Sequence, residues 1–299
     1  MSFVLTLVSS CHRTITQNDI SSVSTLIEKE DLFFTAAPSW LAPERAVDLG
    51  IPAKPSRLLI AKLQDYLAEG KIDLFCNPIE RRRKKLLLAD MDATIVEGET
   101  LDELAHYAGI KEQVAEITQR AMEGLLDFHA ALKERVSLLK GLPSAKLQET
   151  LDATRINSGA HTFVSVMKQN GAHCVLVSGG FTFFTSAIAR QVGFDNHHGN
   201  TLEIDNGALT GKVIPPILDK QAKLEYLRRY TNDMFLKPDQ TLTIGDGAND
   251  LPMLKAAGLG IGYHPKQAVK DEIDNLILYG DLTAALYAQG YTSQQIGNI

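Results

Sequence analysis

Four short apolar runs, each stopped at once by a polar or glycine residue, constrain this chain more than any other feature. They are Leu86 to Ala89 before Asp90, Cys174 to Val177 before Ser178, Leu242 to Ile244 before Gly245, and Leu259 to Ile261 before Gly262. Runs of this length are strand-sized, and amphipathic helical stretches lie between them. Such alternation is the pattern of an α/β fold with a doubly wound parallel sheet. Ligands of such sheets collect at the carboxyl ends of the strands, so the polar residues at these stops are candidate functional groups.

Between the first two runs lie about seventy residues of helical character, too many for an ordinary crossover. They read as a helical cap inserted over residues 98–165. Leu101, Leu104, Ala105 and Ala108 mark one helix ending at Gly109, and Val114, Ile117 and Ala121 a second. Phe128, Leu132, Val136 and Leu139 mark a third, ending before Gly141 and Pro143. Farther on, Asn206-Gly207 between Leu202-Glu203-Ile204 and Ala208-Leu209-Thr210 is a hairpin signal.

The chain ahead of the first of these runs is organised differently. Strand-like Phe3 to Val8, Leu32 to Thr35, Ala46 to Leu49 and Ile72 to Phe75 are interleaved with helices over Asn18–Glu28 and Ser56–Leu67. The order βαββαβ is that of a small α+β, ferredoxin-like unit. We expect it to occupy residues 1–80, leaving 84–299 for the large domain, so that a chain beginning near Glu80 would keep its chemistry. The basic run Glu80 to Lys85 between them reads as a solvated linker.

Composition narrows the classes. Asp and Glu number 36 against 30 Lys and Arg, a net charge of -6, which argues against a general affinity for nucleic acid or anionic membrane. At 44% hydrophobic and 22% charged residues the chain can build a core, which excludes disorder as its main state. Cys11, Cys76 and Cys174 are odd in number and form no CxxC, so neither a disulfide framework nor a cysteine zinc site is expected. The opening apolar run is too short for a membrane span and lacks the features of a signal peptide, so a cytoplasmic protein is expected.

Asp90-Met91-Asp92 directly follows a strand, and residues two apart in extended chain project to the same side, so two carboxylates converge. Ser178-Gly179-Gly180-Phe181 leads from a strand into a helix and offers a hydroxyl with backbone N–H groups. Lys223 can add a positive charge, and Gly245-Asp246-Gly247-Ala248-Asn249-Asp250 ends a third strand in a polar, glycine-rich turn. Carboxylates, a hydroxyl and a cation are what phosphoryl transfer needs.

This set resembles the haloacid dehalogenase-like phosphohydrolases over residues 85–262. Glu99, with Phe128 and Arg135 in Asp127 to Val136, is similar to the cap of the phosphoserine phosphatases in that family, as are Gly262 to Lys266 and Gly280 to Thr283. The resemblance implies Asp90 as nucleophile, Asp92 as general acid and then base, and Mg²⁺ held by Asp90, Asp246 and the Asp92 carbonyl. It implies that Ser178, Lys223, the Gly179 N–H and Asn249 bind the phosphoryl group, with Asp250 orienting Lys223. Glu99 would then meet the substrate ammonium and Arg135 its carboxylate, beside Phe128. Phe128 and Arg135 are seven apart on a helix and so share a face.

The implied activity is hydrolysis of O-phospho-L-serine to serine and phosphate, the last step of serine biosynthesis. Its rivals are a phosphotransferase or phosphatase of the same fold acting on another small phosphorylated metabolite, and a non-catalytic amino-acid sensor. The sensor would be expected to have lost acidic residues that are all in place here. The small unit also resembles amino-acid-binding, ACT-like regulatory modules, and a homodimer is compatible with it. Ala93 departs from the family's serine; backbone N–H groups are expected to supply that phosphate contact. His197-His198 read as loop residues, since adjacent side chains point apart.

Overall fold

The computed structural model describes residues 2–10, 13–122 and 127–297, without the side chains of Gln119, Ala121, Met122 and Phe128. Cys11 therefore lies outside the described residues, while Cys76 and Cys174 are buried free thiols.

The chain begins with β1 (Phe3–Ser9), α1 (Gln17–Ile27), β2 (Ser39–Ala42), β3 (Ala46–Ile51), α2 (Arg57–Ala68) and β4 (Ile72–Pro78). The strands form an antiparallel sheet in the order β2-β3-β1-β4. α1 starts at a capping box between Thr16 and Asp19 and buries Ile20, Val23 and Ile27; α2 is capped by Ser56 and buries Leu59, Ile60, Leu63 and Leu67. The strand expected over Leu32 to Thr35 is absent. Asp31 turns left-handed (φ 56°) after α1, the Leu32 N–H donates to the Ile27 carbonyl, and Leu32 folds into the core as a helix closure. Ser39–Ala42 takes the place beside β3 instead.

The large sheet starts with β5 (Leu86–Ala89). It is followed by α3 (Thr100–Tyr107), α4 (Lys111–Met122), α5 (Phe128–Ser137), α6 (Ala145–Ala153), α7 (Ala160–Gln169), β6 (His173–Phe181), α8 (Thr182–Val192), β7 (Asn196–Asp205) and β8 (Ala208–Ile214). Then come α9 (Lys220–Asp233), β9 (Thr241–Gly245), α10 (Leu251–Ala256), β10 (Leu259–Tyr263), α11 (Gln267–Lys270), β11 (Leu276–Ile277), α12 (Ala284–Ala288) and α13 (Ser293–Gly297). The order is β11-β10-β9-β5-β6-β7-β8, parallel except for β8. Strand alternation divides the core: Leu87 and Ala89 pack with Phe163, Met167 and Phe184 from α7 and α8, whereas Leu86 and Leu88 pack with Leu224, Leu227 and Met253 from α9 and α10. Both faces are covered, as a parallel sheet requires. The chain runs outward from β5 through β6 and β7, and β9 then pairs with the other side of β5, which opens a crevice between the ends of β5 and β9.

The cap leaves and rejoins the sheet at a bridge between Val96 and Ile156. α7 already packs on β6, so residues 160–165, expected in the insert, belong to the core; the insert's closing turn lies before the helix that covers the sheet. Asn206 and Gly207 turn the β7–β8 hairpin with positive φ, and the hairpin holds the cap through Gly141 N–H to Leu209 O, Ser144 N–H to Gly207 O and Leu209 N–H to Leu142 O. Among the described residues no helix is long and apolar enough to cross a membrane.

The basic run is not a solvated linker throughout. Arg82, with its side chain 12% exposed, forks onto Asp48 of β3 at 2.5 and 2.8 Å and donates to Thr6 of β1 and to the Tyr287 and Ala288 carbonyls. Lys84 is buried and donates to the Arg81 and Asp239 carbonyls, and its pKa falls to about 8 because burial disfavours the charge. The run is thus a staple between the small sheet and the tail of the large one. Val8, Leu41, Ala42, Ala46 and Phe75 join the same apolar cluster as Leu282, Leu286 and Tyr287.

Asp73 on β4 accepts hydrogen bonds from the Leu278, Tyr279 and Gly280 N–H groups. Burial nevertheless raises its pKa to about 6, the three bonds pulling the other way. A raised carboxylate pKa favours the neutral form in the folded state, so its stability contribution is present below about pH 4 and is lost as pH rises through about 6. The loss amounts to about 3 kcal/mol at 1.36 kcal/mol per unit. Thermal unfolding of the wild type and Asp73→Asn between pH 4 and 8 should show this as a difference that changes across that window, the wild type losing ground; a pH-independent difference would contradict it.

Candidate active site

Asp90 follows β5, Ser178 lies near the end of β6, Asp246 follows β9, and Lys223 sits in the first turn of α9; all four are buried. Lys223, 1% exposed, places Nζ 2.8 Å from Asp90 Oδ1 and 2.6 Å from Asp250 Oδ1. Burial works against its charge, but Asp250 and Asp90 outweigh that and raise its pKa. For Asp90, burial and then Asp250 push the carboxyl pKa well up, and Lys223 pulls it down. Its Oδ1 also accepts the Met91 N–H, and Oδ2 has no hydrogen bond among the described residues.

Asp92 is held differently. Its Oδ1 accepts both the N–H (2.9 Å) and the hydroxyl (2.8 Å) of Thr100, and its Oδ2 accepts the Ser178 hydroxyl at 2.9 Å. Ser178 Oγ in turn accepts the Gly180 N–H. A Cβ at Gly180 would sit 2.8 Å from Asp92 Oδ2, so only glycine lets this carboxylate reach the serine. Gly245 has the same role behind Asp250, whose carboxyl a Cβ there would strike. Gly179 is fixed through its carbonyl, which accepts the Asn200 Nδ2–H at 2.7 Å.

Asp246 is 5% exposed; burial raises its pKa, Lys266 lowers it and Asp250 raises it. The ligand atoms of Asp90, Asp246 and Asp250 lie within 4.8 Å of one another. Asp250 Oδ1 accepts from Lys223 and Oδ2 from the Gly247 N–H, so both of its oxygens are engaged and its position suits it to orient Lys223. Three buried carboxylates, Asp90, Asp246 and Asp250, gather beside one buried lysine, an excess of negative charge that fits an oxygen-liganded dication.

At the cap side, Glu99 precedes α3 and Arg135 lies on α5. Desolvation in the cleft raises the Glu99 pKa, Asp92 adding to it and Lys266 opposing it. Burial lowers the Arg135 pKa, with Asp102 and Glu99 acting the other way, which places the guanidinium and Glu99 in one field. Arg135 Nε donates to the Ala131 carbonyl at 3.3 Å, and no carboxylate lies within 4 Å of the guanidinium among the described residues. The Phe128 side chain lies outside the described residues. Asn249 is half-buried in the turn before α10.

Ala93 adopts a left-handed φ of 53° and its N–H donates to the Gly98 carbonyl at 2.8 Å, so this one of the backbone donors at that point is engaged by the loop. One expectation changes. His197 and His198 are on β7, not in a loop: His197 meets Thr185, and His198 stacks on Tyr226 and bonds Tyr230, with burial lowering its pKa to about 4. The sequence reading missed the roles of Thr100, Asn200 and Lys266. Thr100 carried one usable signal, a hydroxyl beside Glu99 at a helix start.

Fold and site together define a class: capped, doubly wound α/β enzymes with an aspartate pair at the end of the central strand. The chain belongs to the haloacid dehalogenase-like hydrolases, whose family model matches residues 87–255. It is 42% identical over 199 residues to a phosphoserine phosphatase of Streptococcus thermophilus, covering 67% of this chain and 93% of that one. It is 39% identical over 208 residues to a phosphoserine phosphatase of Archaeoglobus fulgidus, covering 69% of this chain and 60% of the relative's length. Thus the chain spans about 60% of that longer relative. A crystal structure of a haloacid dehalogenase family hydrolase from Salmonella enterica serovar Typhi superposes with a TM-score of 0.83 at 28% identity, over 96% of this chain and 98% of that one.

Proposed function

We propose that the protein is a Mg²⁺-dependent phosphatase that hydrolyses O-phospho-L-serine to L-serine and phosphate, a closing step of serine synthesis, and that it works in the cytoplasm. The observation that carries the reading is the division of labour between two carboxylates two residues apart: Asp90 is bound to Lys223, and Asp92 is held by two hydroxyls. Phosphoserine phosphatases among the relatives support the choice of substrate.

In this reading Asp90 attacks phosphorus in line through Oδ2, the bond to the seryl oxygen breaks, and Asp92 gives that oxygen a proton. The product of this half-reaction is a phosphoryl group on Asp90. Asp92 then takes a proton from the water that attacks it, and inorganic phosphate leaves. Ser178, Lys223, the Gly179 N–H and Asn249 hold the phosphoryl oxygens, and Asp250 keeps Lys223 aimed. Asp90 and Asp246, with the Asp92 carbonyl, would hold the Mg²⁺. When bound, it supplies the charge that keeps two buried carboxylates ionised and shields them from the phosphate.

Glu99 takes the substrate ammonium, and Arg135, unpaired with any carboxylate among the described residues, takes its carboxylate beside Phe128. The small N-terminal unit (1–80) is a second, ACT-like domain beside the phosphatase domain (84–299), and the exposed Trp40 on the edge strand β2 supports pairing of two copies through it.

Phosphate release from phosphoserine, phosphothreonine and sugar phosphates, with Mg²⁺ and with EDTA, tests the reading. Phosphoserine should be preferred and EDTA should abolish turnover; preference for a sugar phosphate, or full turnover in EDTA, would overturn it. In the same assay Arg135→Lys loses the planar fork, so its Michaelis constant should rise by about tenfold or more for phosphoserine but little for phosphoethanolamine, which has no carboxylate. Equal losses on both would show that Arg135 does not read that group.

A further inference from the structure

Lys266 precedes α11 on the core side of the cleft. Its N–H donates to the Asp246 carbonyl at 2.9 Å, and its Nζ lies 3.1 Å from Asp246 Oδ2 and 3.4 Å from Glu99 Oε1. One ammonium thus joins a carboxylate of the sheet to one at the root of the cap. No other cation lies within 4 Å of either carboxylate among the described residues. The loop that carries it is anchored from behind, since His264 donates its N–H to the Ile277 carbonyl and its ring meets the Gly280 carbonyl.

We propose that Lys266 is a competing cation at this site: its ammonium pairs with Glu99 and Asp246, the two carboxylates that the substrate ammonium and the divalent cation would take, and exchanges with both of them. The inference rests on the functional reading above. Its physical content is competition. Each incoming cation must displace the same ammonium from one of its two partners, and whichever arrives first loosens the pair for the second. Lys266 also spans cap and core, so its release removes a tie between them as the site fills. Its side chain is 53% exposed, which lets the flexible stem swing out to water at small cost.

Lys266→Met and Lys266→Arg test this with two readouts. Calorimetric titration of the full-length protein with Mg²⁺, which requires no turnover, should show Lys266→Met binding about five- to tenfold more tightly than wild type, with Lys266→Arg restoring the weaker binding. Kinetics should then compare phosphoserine with 3-phosphooxypropanoate, which keeps phosphate and carboxylate but lacks the ammonium. Lys266→Met should lower the Michaelis constant severalfold for the first and leave the second unchanged. Mg²⁺ binding that is unchanged or weaker in Lys266→Met overturns the proposal. So does an equal shift on both substrates, which would be a general charge effect and no contest for Glu99. If the wild type fails to hydrolyse phosphoserine, the functional reading itself fails, whatever the Mg²⁺ titration shows.

Discussion

Asp90→Asn is expected to lower phosphoserine turnover by a factor of about 10³ or more while leaving the fold intact. The change removes the charge of the proposed nucleophile but keeps its shape. Lys223 retains Asp250 at 2.6 Å, so the lysine is not left unpaired in the interior. Leaving one fewer charge buried is close to neutral for stability, unlike removal of the lysine, which would strand two buried carboxylates at a cost of about 3 to 5 kcal/mol. Circular dichroism should therefore match the wild type. Retained turnover in a folded Asp90→Asn protein would remove Asp90 from the mechanism, and a collapsed fold would show that its charge is structural.

A chain beginning at Glu80 is expected to lose several kcal/mol of stability and to aggregate or elute as mixed oligomers. From the sequence, the first eighty residues look separable from the chemistry, and every proposed site residue does lie beyond them. The packing argues differently. Val8, Leu41, Ala42, Ala46 and Phe75 fill part of the cluster that contains Leu282, Leu286 and Tyr287, and each large apolar side chain uncovered costs about 1.5 to 3 kcal/mol. Deletion also strands the Leu278, Tyr279 and Gly280 N–H groups that Asp73 accepts, and it leaves Arg82 without Asp48. Size-exclusion and thermal unfolding of the truncated protein decide the matter. A monodisperse truncation that melts with the full-length protein would show that the small unit merely rests on the large one.

The four strand stops were legible because they rest on local pattern: a short apolar run followed by a polar residue has few other uses in a chain with helices on either side. The cap helices were legible for the same reason, through their 3.6-residue spacing and their stops, such as Gly109 at φ 70°. Leu32 to Thr35 misled because an apolar residue that closes a helix end looks the same in sequence as the start of a strand. The basic run misled more seriously. Nothing local distinguishes Arg82, whose acceptors lie on β1, β3 and the chain about two hundred residues later, from its solvated neighbours.

The sequence by itself determined the class of fold, the hairpin at Asn206-Gly207 and the residue types gathered at the ends of β5, β6 and β9. These follow from periodicity and from the rule that a parallel sheet presents its strand ends together. Tertiary structure alone decided which oxygen each of those residues offers. Lys223 chooses Asp90 and Asp250 over Asp92, Thr100 and Ser178 hold Asp92, and Lys266 spans Glu99 and Asp246. Such choices depend on distances of about an ångström between groups that are far apart in the chain, and hydrogen bonds and ion pairs fall off steeply over that range. A one-dimensional pattern fixes which groups are available, and only the packed chain sets their separation.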